Sequence, residues 1–307
     1  MNKAQIVANE LSKITTHKCR AELVAKNNLL LARKNEEFLA LDTALRKASL
    51  ELAKSEDNAD LRKKIEKLKS EKTLLLKKLK IDPNSLVPQY ACKECKDTGY
   101  IGGKACRCLS TLVQNALIAQ SGMKNKTTYC FENSDNQVVD NNPHLKKAYA
   151  VAKKYVAEFP NFKYKNLVFM GDVGSGKTFL IECMLNELIK RKHYVVFSTA
   201  YDINETIQNS FGLGALEKEA LLAPYFESEL LVIDDLGCEP ILRNITVSNL
   251  FTVINERQNN NLCTIISTNL NMNEIQDRYG DRVLSRIFNK RNSVVIPFVG
   301  KDLRLNN

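Results

Sequence analysis

The residues best suited to chemistry in this chain are eight in a row, Gly171, Asp172, Val173, Gly174, Ser175, Gly176, Lys177 and Thr178. They satisfy G-x-x-x-x-G-K-[ST] at every fixed position. Glycines let such a loop wrap tightly and turn its N–H groups toward a polyphosphate. Lys177 then suits the β- and γ-phosphates, and the Thr178 hydroxyl suits Mg²⁺. The apolar run at residues 167–170 reads as a buried parallel strand. The segment FLIECMLNELIKRK, beginning at Phe179, reads as a helix whose positive end faces the same anion. A strand before the loop and a helix after it imply a nucleotide site.

Two further constellations carry chemistry. In the stretch LLVIDD an apolar strand delivers Asp234 and Asp235 at its C-terminal end, where ligands bind in open α/β sheets. Asp234 suits the Mg²⁺ shell, and Asp235 suits orienting or deprotonating an attacking water. Glu239 is a further acid near that position, and Asn269 ends the next apolar strand, residues 263–269, with a polar amide. The other constellation is Cys92, Cys95, Cys106 and Cys108, two close thiol pairs around the hairpin-like DTGYIGGKA. Four thiolates gathered by a turn make the S₄ set that structural Zn²⁺ prefers, with an Fe–S cluster or plain buried thiols as alternatives. Cys19, Cys130, Cys183, Cys238 and Cys263 are scattered and read as small buried hydrophobes.

The remaining residues must position these groups. Residues 1 to about 82 contain no Gly, and the first Pro is Pro83. Val24, Leu31, Phe38, Leu45 and Leu52 recur every seven residues. Leu61, Ile65, Leu68, Leu75 and Leu79 suggest a second seam, interrupted at Lys72. With turn-like SEDNAD between them, the pattern predicts an antiparallel helical hairpin or coiled coil, paired loosely or between molecules. The second arm is rich in lysine, a run that reads as a solvated face before a DNA contact. Helices are expected over residues 109–120 and 144–159. A strand is expected at residues 194–199, followed by a mostly helical stretch, 201–227, interrupted at residues 211–214. Arg282 and Arg286 follow, four apart on one helix face, and residues 294–298 form a closing strand.

The 307 residues carry a net charge of +10, nine cysteines and no tryptophan. The charge favours an anionic partner such as nucleic acid. No apolar run approaches twenty residues and the first residues lack a signal-peptide core, so no membrane partner and a cytoplasmic location are expected. The cysteines are then metal ligands before they are disulfides.

The pieces GDVGSGKT, LLVIDDLG, TIISTNL, the Ser285-Arg286-Ile287 box and the GKDLR ending together resemble the DnaC/DnaI/IstB group of AAA+ ATPases. The cysteine stretch is similar to the knuckle that precedes the ATPase in loader-like members. The resemblance covers about residues 89–304 and implies an α/β fold, a parallel sheet flanked by helices. A helical hairpin (1–88) and a zinc knuckle with a linker helix (89–125) would precede the AAA+ ATPase domain (126–307). It further implies binding and hydrolysis of ATP with Mg²⁺ and a structural Zn²⁺. Residues 171–179 would cradle the nucleotide, with Lys177 and Thr178 as the Walker A pair and Asp234 as the Walker B metal residue. Asp235, Asn269 and Arg286 would join Lys177 in catalysis, Asn269 as sensor 1 and Arg286 as arginine finger, with Arg282 its rival. Arg304 would be sensor 2. The implied partners are a replicative DNA helicase, single-stranded DNA and further copies of the chain. The alternatives are an ATPase helper of a transposase, as in the IstB branch, and a nucleotide-switched adaptor with little hydrolysis.

Overall fold

The computed structural model describes residues 3–54, 58–123, 129–133, 136–242, 245–300 and 302. It divides into two units, Asn9–Ser110 and the remainder, Met1–Ala8 with Thr111–Asn307.

Three helices lead the chain: α1 (Lys3–Ala32), α2 (Glu36–Lys54) and α3 (Ala59–Lys78). The hairpin is formed by α2 and α3, and a break at residues 33–35 separates α1 from them. Asn35 causes the break locally, because its side-chain oxygen accepts the Phe38 N–H at 2.9 Å and caps α2. The heptad phase therefore does not run through. Phe38 is fully buried, but Val24 and Leu31 are exposed on α1, contrary to the single seam expected. The SEDNAD turn lies partly outside the described residues, and Asn58 within it caps α3 by accepting from the Asp60 and Leu61 amides.

Lys72, a defect in the sequence pattern, is part of the packing. Its ammonium donates to Asp42 at 2.7 Å and lies 5.0 Å over the Phe38 ring. Asp42 is buried, and it also accepts two hydrogen bonds from Arg33, at 3.0 and 2.6 Å. Burial alone would raise its pKa, but the hydrogen bonds from Lys72 and Arg33 overcome that and hold it below the ordinary range.

After Pro83 the cysteine knuckle contains a two-residue hairpin, β1 (Tyr100–Ile101) paired antiparallel with β2 (Lys104–Ala105). The helix α4 (Arg107–Gln120) follows, then α5 (Asn136–Asn141) and α6 (Pro143–Glu158). Asn142 caps α6, and Leu145, Ala148, Ala152, Tyr155 and Val156 face the core.

The larger unit is built on five parallel strands: β3 (Asn166–Gly171), β4 (Val195–Thr199), β5 (Leu230–Leu236), β6 (Cys263–Thr268) and β7 (Ser293–Phe298). Their spatial order is β4-β5-β6-β3-β7. The connections run through α7 (Lys177–Lys190), α8 (Ala200–Asn209), α9 (Ala215–Glu227), α10 (Thr246–Asn259) and α11 (Met272–Ile287). The inner strands are buried on both faces and accordingly read as continuous apolar runs. This is the AAA+ P-loop arrangement that the motifs implied. Its consequence is positional: β6 lies between β3 and β5, so the residue leaving β6 stands between the phosphate loop and the Asp-Asp pair.

One buried cation was not foreseen. Arg257 on α10 is fully buried and donates to the Tyr225, Ser228 and Cys263 carbonyls and to the Ser228 and Thr264 hydroxyls. These neutral acceptors tie the end of α9 to the start of β6, and burial lowers its pKa to about 10.

Candidate functional site: a phosphate loop and a cysteine cluster

The loop between β3 and α7 takes the conformation its glycines allow. Gly176, at φ 92°, turns the chain into α7. Gly171, at φ 154°, passes so close to β7 that a Cβ would stand 2.0 Å from the Phe298 carbonyl oxygen. Lys177 is buried and curls back over the loop. Its Nζ donates to the carbonyls of Gly171 (2.6 Å) and Asp172 (2.8 Å) and to Asn269 Oδ1 at 2.7 Å. Residues 92 apart in sequence thus meet, because β6 neighbours β3. The Ser175 hydroxyl closes the loop on Asp172 O at 2.7 Å. Phe179 packs against Tyr129 with ring centroids 4.9 Å apart.

Thr178 Oγ1 reaches Asp234 Oδ2 at 3.1 Å and Oδ1 at 3.4 Å. A hydroxyl and a carboxylate so paired are the hard oxygen donors that Mg²⁺ takes alongside phosphate. Asp234 is buried. Its pKa is raised chiefly by burial and also by Asp235, against the lowering effects of hydrogen bonds from Ser267 and Thr178 and of the Lys177 charge. A cation beside it would offset that cost. Ser267 is the residue that sequence reasoning missed. Its hydroxyl donates to Asp234 and accepts the Asp235 N–H at 2.9 Å, so one side chain on β6 sets both acids. The pairing of β5 with β6 shifts between Ile233 and Leu236, and Asp235 adopts φ 53° there. Only the strand register reveals this, although Ser267 stands two residues before Asn269 in the TIISTN stretch.

Glu239 is not a free acid near the metal position. It is buried, accepts from the Tyr279 hydroxyl and from the Gly237 N–H at 3.0 Å, and so fastens the exit of β5 to α11. The kink of α11 at Gly280 (φ 78°) precedes Arg282 and Arg286. Arg286 is half-buried, its Nε donating to Asn255 Oδ1 at 2.9 Å and its guanidinium 5.8 Å from the Phe251 ring centroid. Arg282 is exposed. Arg304 lies outside the described residues; of its neighbours, Asp302 packs its carboxylate against Gly174.

The four cysteines converge in the smaller unit. Their sulfurs lie within 4.8 Å of one another, Cys92 to Cys106 at 3.8 Å and Cys95 to Cys108 at 3.5 Å. A tetrahedral ion with Zn–S bonds of about 2.3 Å holds its sulfurs about 3.8 Å apart. The set therefore fits a single ion, whereas a cluster would spread the thiolates over several irons. Asp97 organises the knuckle: its carboxylate accepts the Cys92 and Ala91 amides (2.7 and 2.9 Å) and faces His17 Nδ1 at 2.8 Å. Of the other cysteines, Cys183 and Cys263 are buried as expected. Cys130 is half-buried, and Cys19 on α1 and Cys238 in the loop after β5 are exposed, contrary to the expectation.

Residues 127–306 match the family described as IstB-like ATP binding protein. The chain belongs to this family. Residues 127–306 are thus an ATP-binding domain of the AAA+ class. Among curated relatives, the replicative helicase loader DnaC of Escherichia coli K12 is 30% identical over 140 residues, 46% of this chain and 56% of that protein. The chain therefore spans little more than half the length of these relatives. YqaM of Bacillus subtilis is 29% identical over 226 residues, covering 70% of this chain and 68% of the other. A crystal structure of the DnaC helicase loader aligns with TM-score 0.46 at 25% identity, over 52% of this chain and 92% of that one. No helix among the described residues is long and apolar enough to cross a membrane.

Proposed function

We propose that the protein is a cytoplasmic ATPase that loads a replicative DNA helicase, with ATP hydrolysis controlling its assembly and release. The observation that carries this reading is the convergence of Lys177, Thr178, Asp234, Asp235 and Asn269 at one end of the sheet, in a chain related to DnaC. Lys177 binds the β- and γ-phosphates. Thr178 and Asp234 hold Mg²⁺, which neutralises charge on the phosphates when bound. Asp235, its backbone fixed by Ser267, orients or deprotonates the attacking water. Asn269 links Lys177 to the terminal phosphate. Arg286, steadied by Asn255 and Phe251, serves the nucleotide of a neighbouring copy as arginine finger, with the exposed Arg282 as the rival.

Partner binding is assigned to surfaces outside this site. Leu23, Val24, Leu30 and Leu31 expose an apolar stripe on α1 that suits a protein partner, the helicase. Phe211 is 57% exposed in the bend between α8 and α9, with Lys218 Nζ 5.4 Å above its ring. An exposed ring beside a cation suits the bases and phosphates of single-stranded DNA. The Cys92, Cys95, Cys106 and Cys108 set holds one structural Zn²⁺. Purified protein is expected to contain one equivalent of zinc by elemental mass spectrometry, and Cys92→Ser with Cys106→Ser to lose it. Chelation should then melt the knuckle, because site formation and folding are one equilibrium. Zinc-free protein with an unchanged melting curve contradicts the assignment.

Native mass spectrometry with the replicative helicase of the same cell, with and without ATP·Mg²⁺, tests the function itself. The expected result is a complex whose stoichiometry changes with nucleotide. No complex in either state moves the reading to a transposase helper. A complex without phosphate release, even on single-stranded DNA, moves it to a switched adaptor.

A further inference from the structure

Glu182 lies on α7 one turn beyond Thr178, and residues four apart share a helix face. The Cα–Cβ bond of a helical residue leans toward the N-terminus, so its side chain reaches back over the turn that carries Thr178. Glu182 is only 9% exposed, and its Oε2 has no hydrogen-bond partner among the described residues. Its neighbours Ile181, Cys183, Met184 and Leu185 are buried and apolar, so packing alone gives no reason for an acid here. A buried polar atom without a partner costs about 1–3 kcal/mol, and more for a charged group. Burial, and then the charge of Asp234, raise the Glu182 pKa.

The turn of α7 that carries Thr178 thus has Asp234 of β5 beside it and Glu182 one turn further along, and a cation held there would offset the cost of both carboxyl groups. Mg²⁺ keeps several waters when a protein binds it, and those waters need acceptors of their own. We propose that Glu182 is a positioning residue for the divalent cation, its orphaned Oε2 accepting hydrogen bonds from the hydration shell of Mg²⁺ held by Thr178 and Asp234. The proposal rests on the reading of this loop as a Mg²⁺-nucleotide site. It adds a third carboxyl to Asp234 and Asp235, from the helix and not from the Asp-Asp strand.

The test is binding of a fluorescent ATP analogue to the full chain, titrated with MgCl₂ and repeated in EDTA. Glu182→Gln preserves shape, and its melting curve checks the fold. The variant is expected to bind the analogue in EDTA within about twofold of wild type. The Mg²⁺ concentration giving half of the affinity gain should rise about tenfold, the lower end of the effect of removing a residue that supports metal ligands. Mn²⁺ affinity of the nucleotide complex, read by electron paramagnetic resonance, should fall in parallel. An unchanged Mg²⁺ requirement overturns the proposal. So does an equal loss with and without Mg²⁺, which would mark a packing role. If wild-type protein binds no analogue at all, the site reading falls and takes this proposal with it.

Discussion

Replacing Lys177 by alanine is expected to weaken ATP binding about 100-fold or more. The ammonium already sits at the centre of the loop, donating to Gly171, Asp172 and Asn269. In the bound state it exchanges these acceptors for phosphate oxygens. Losing a charge-assisted hydrogen bond whose partner stays desolvated costs about 3 kcal/mol, and each 1.4 kcal/mol is about tenfold in affinity. The substitution also removes a positive charge that partly offsets the raised pKa of Asp234, so the metal carboxylate should protonate more readily. Mg²⁺ dependence should therefore weaken together with affinity. Asn269→Ala is the control, because it removes only one acceptor of Lys177 and should spare most binding. Equilibrium titration with a fluorescent ATP analogue reads both variants. Lys177→Ala binding within threefold of wild type would show that the phosphates sit elsewhere.

What was legible in the sequence follows from how local each feature is. The phosphate loop is one contiguous stretch whose glycines and lysine have fixed offsets, so its strand, turn and helix could be read together. The helical stretch broken at residues 211–214 was legible for the same reason, since Gly212 and Gly214 mark the break between α8 and α9. The same applies to the Cys92–Cys108 set, closed by a short hairpin. Ser267 was not legible, because its role depends on β6 lying beside β5 in a shifted register. Neither were Asn255 and Phe251, which reach Arg286 from another helix. Glu239 reads in the sequence as available to the metal, but the Tyr279 hydroxyl, 40 residues later, donates to it. In the N-terminal helices Asn35 reads from the sequence only as an imperfection of the heptad seam, together with Asn27, Asn28 and Lys34. A capping side chain there resets the helix phase and leaves Val24 and Leu31 in solvent. Periodicity reports which residues share a face, not whether the helix continues.

Asp42→Ala is expected to destabilise the helical unit by about 3–5 kcal/mol, the usual cost of stripping one partner from a buried ion pair. The carboxylate is the only acidic group found against Arg33 and Lys72 among the described residues, and Arg46 stands 3.4 Å from it. Removing it leaves Arg33 and Lys72, both partly buried, without a counter-charge, and Lys72 must still lie against Phe38. Asp42→Asn keeps the shape and some hydrogen bonding but not the charge, so it should lose less than the alanine variant. Lys72→Met should cost less again, because Met can cover Phe38 while Arg33 still pairs with Asp42. The pH dependence has a definite sign. The Asp42 pKa is lowered in the folded state, so its contribution is complete above the unfolded carboxylate value of about 3.9. That contribution falls as pH drops through the lower folded value. Urea titrations followed by far-ultraviolet circular dichroism at pH 7 and at pH 3 should show the wild-type and Asp42→Asn curves converging at the acid end. Coincident curves at both pH values would mean that Asp42 acts by shape alone. The lysine that breaks the apolar seam would then owe its position to Phe38 and not to the buried acid.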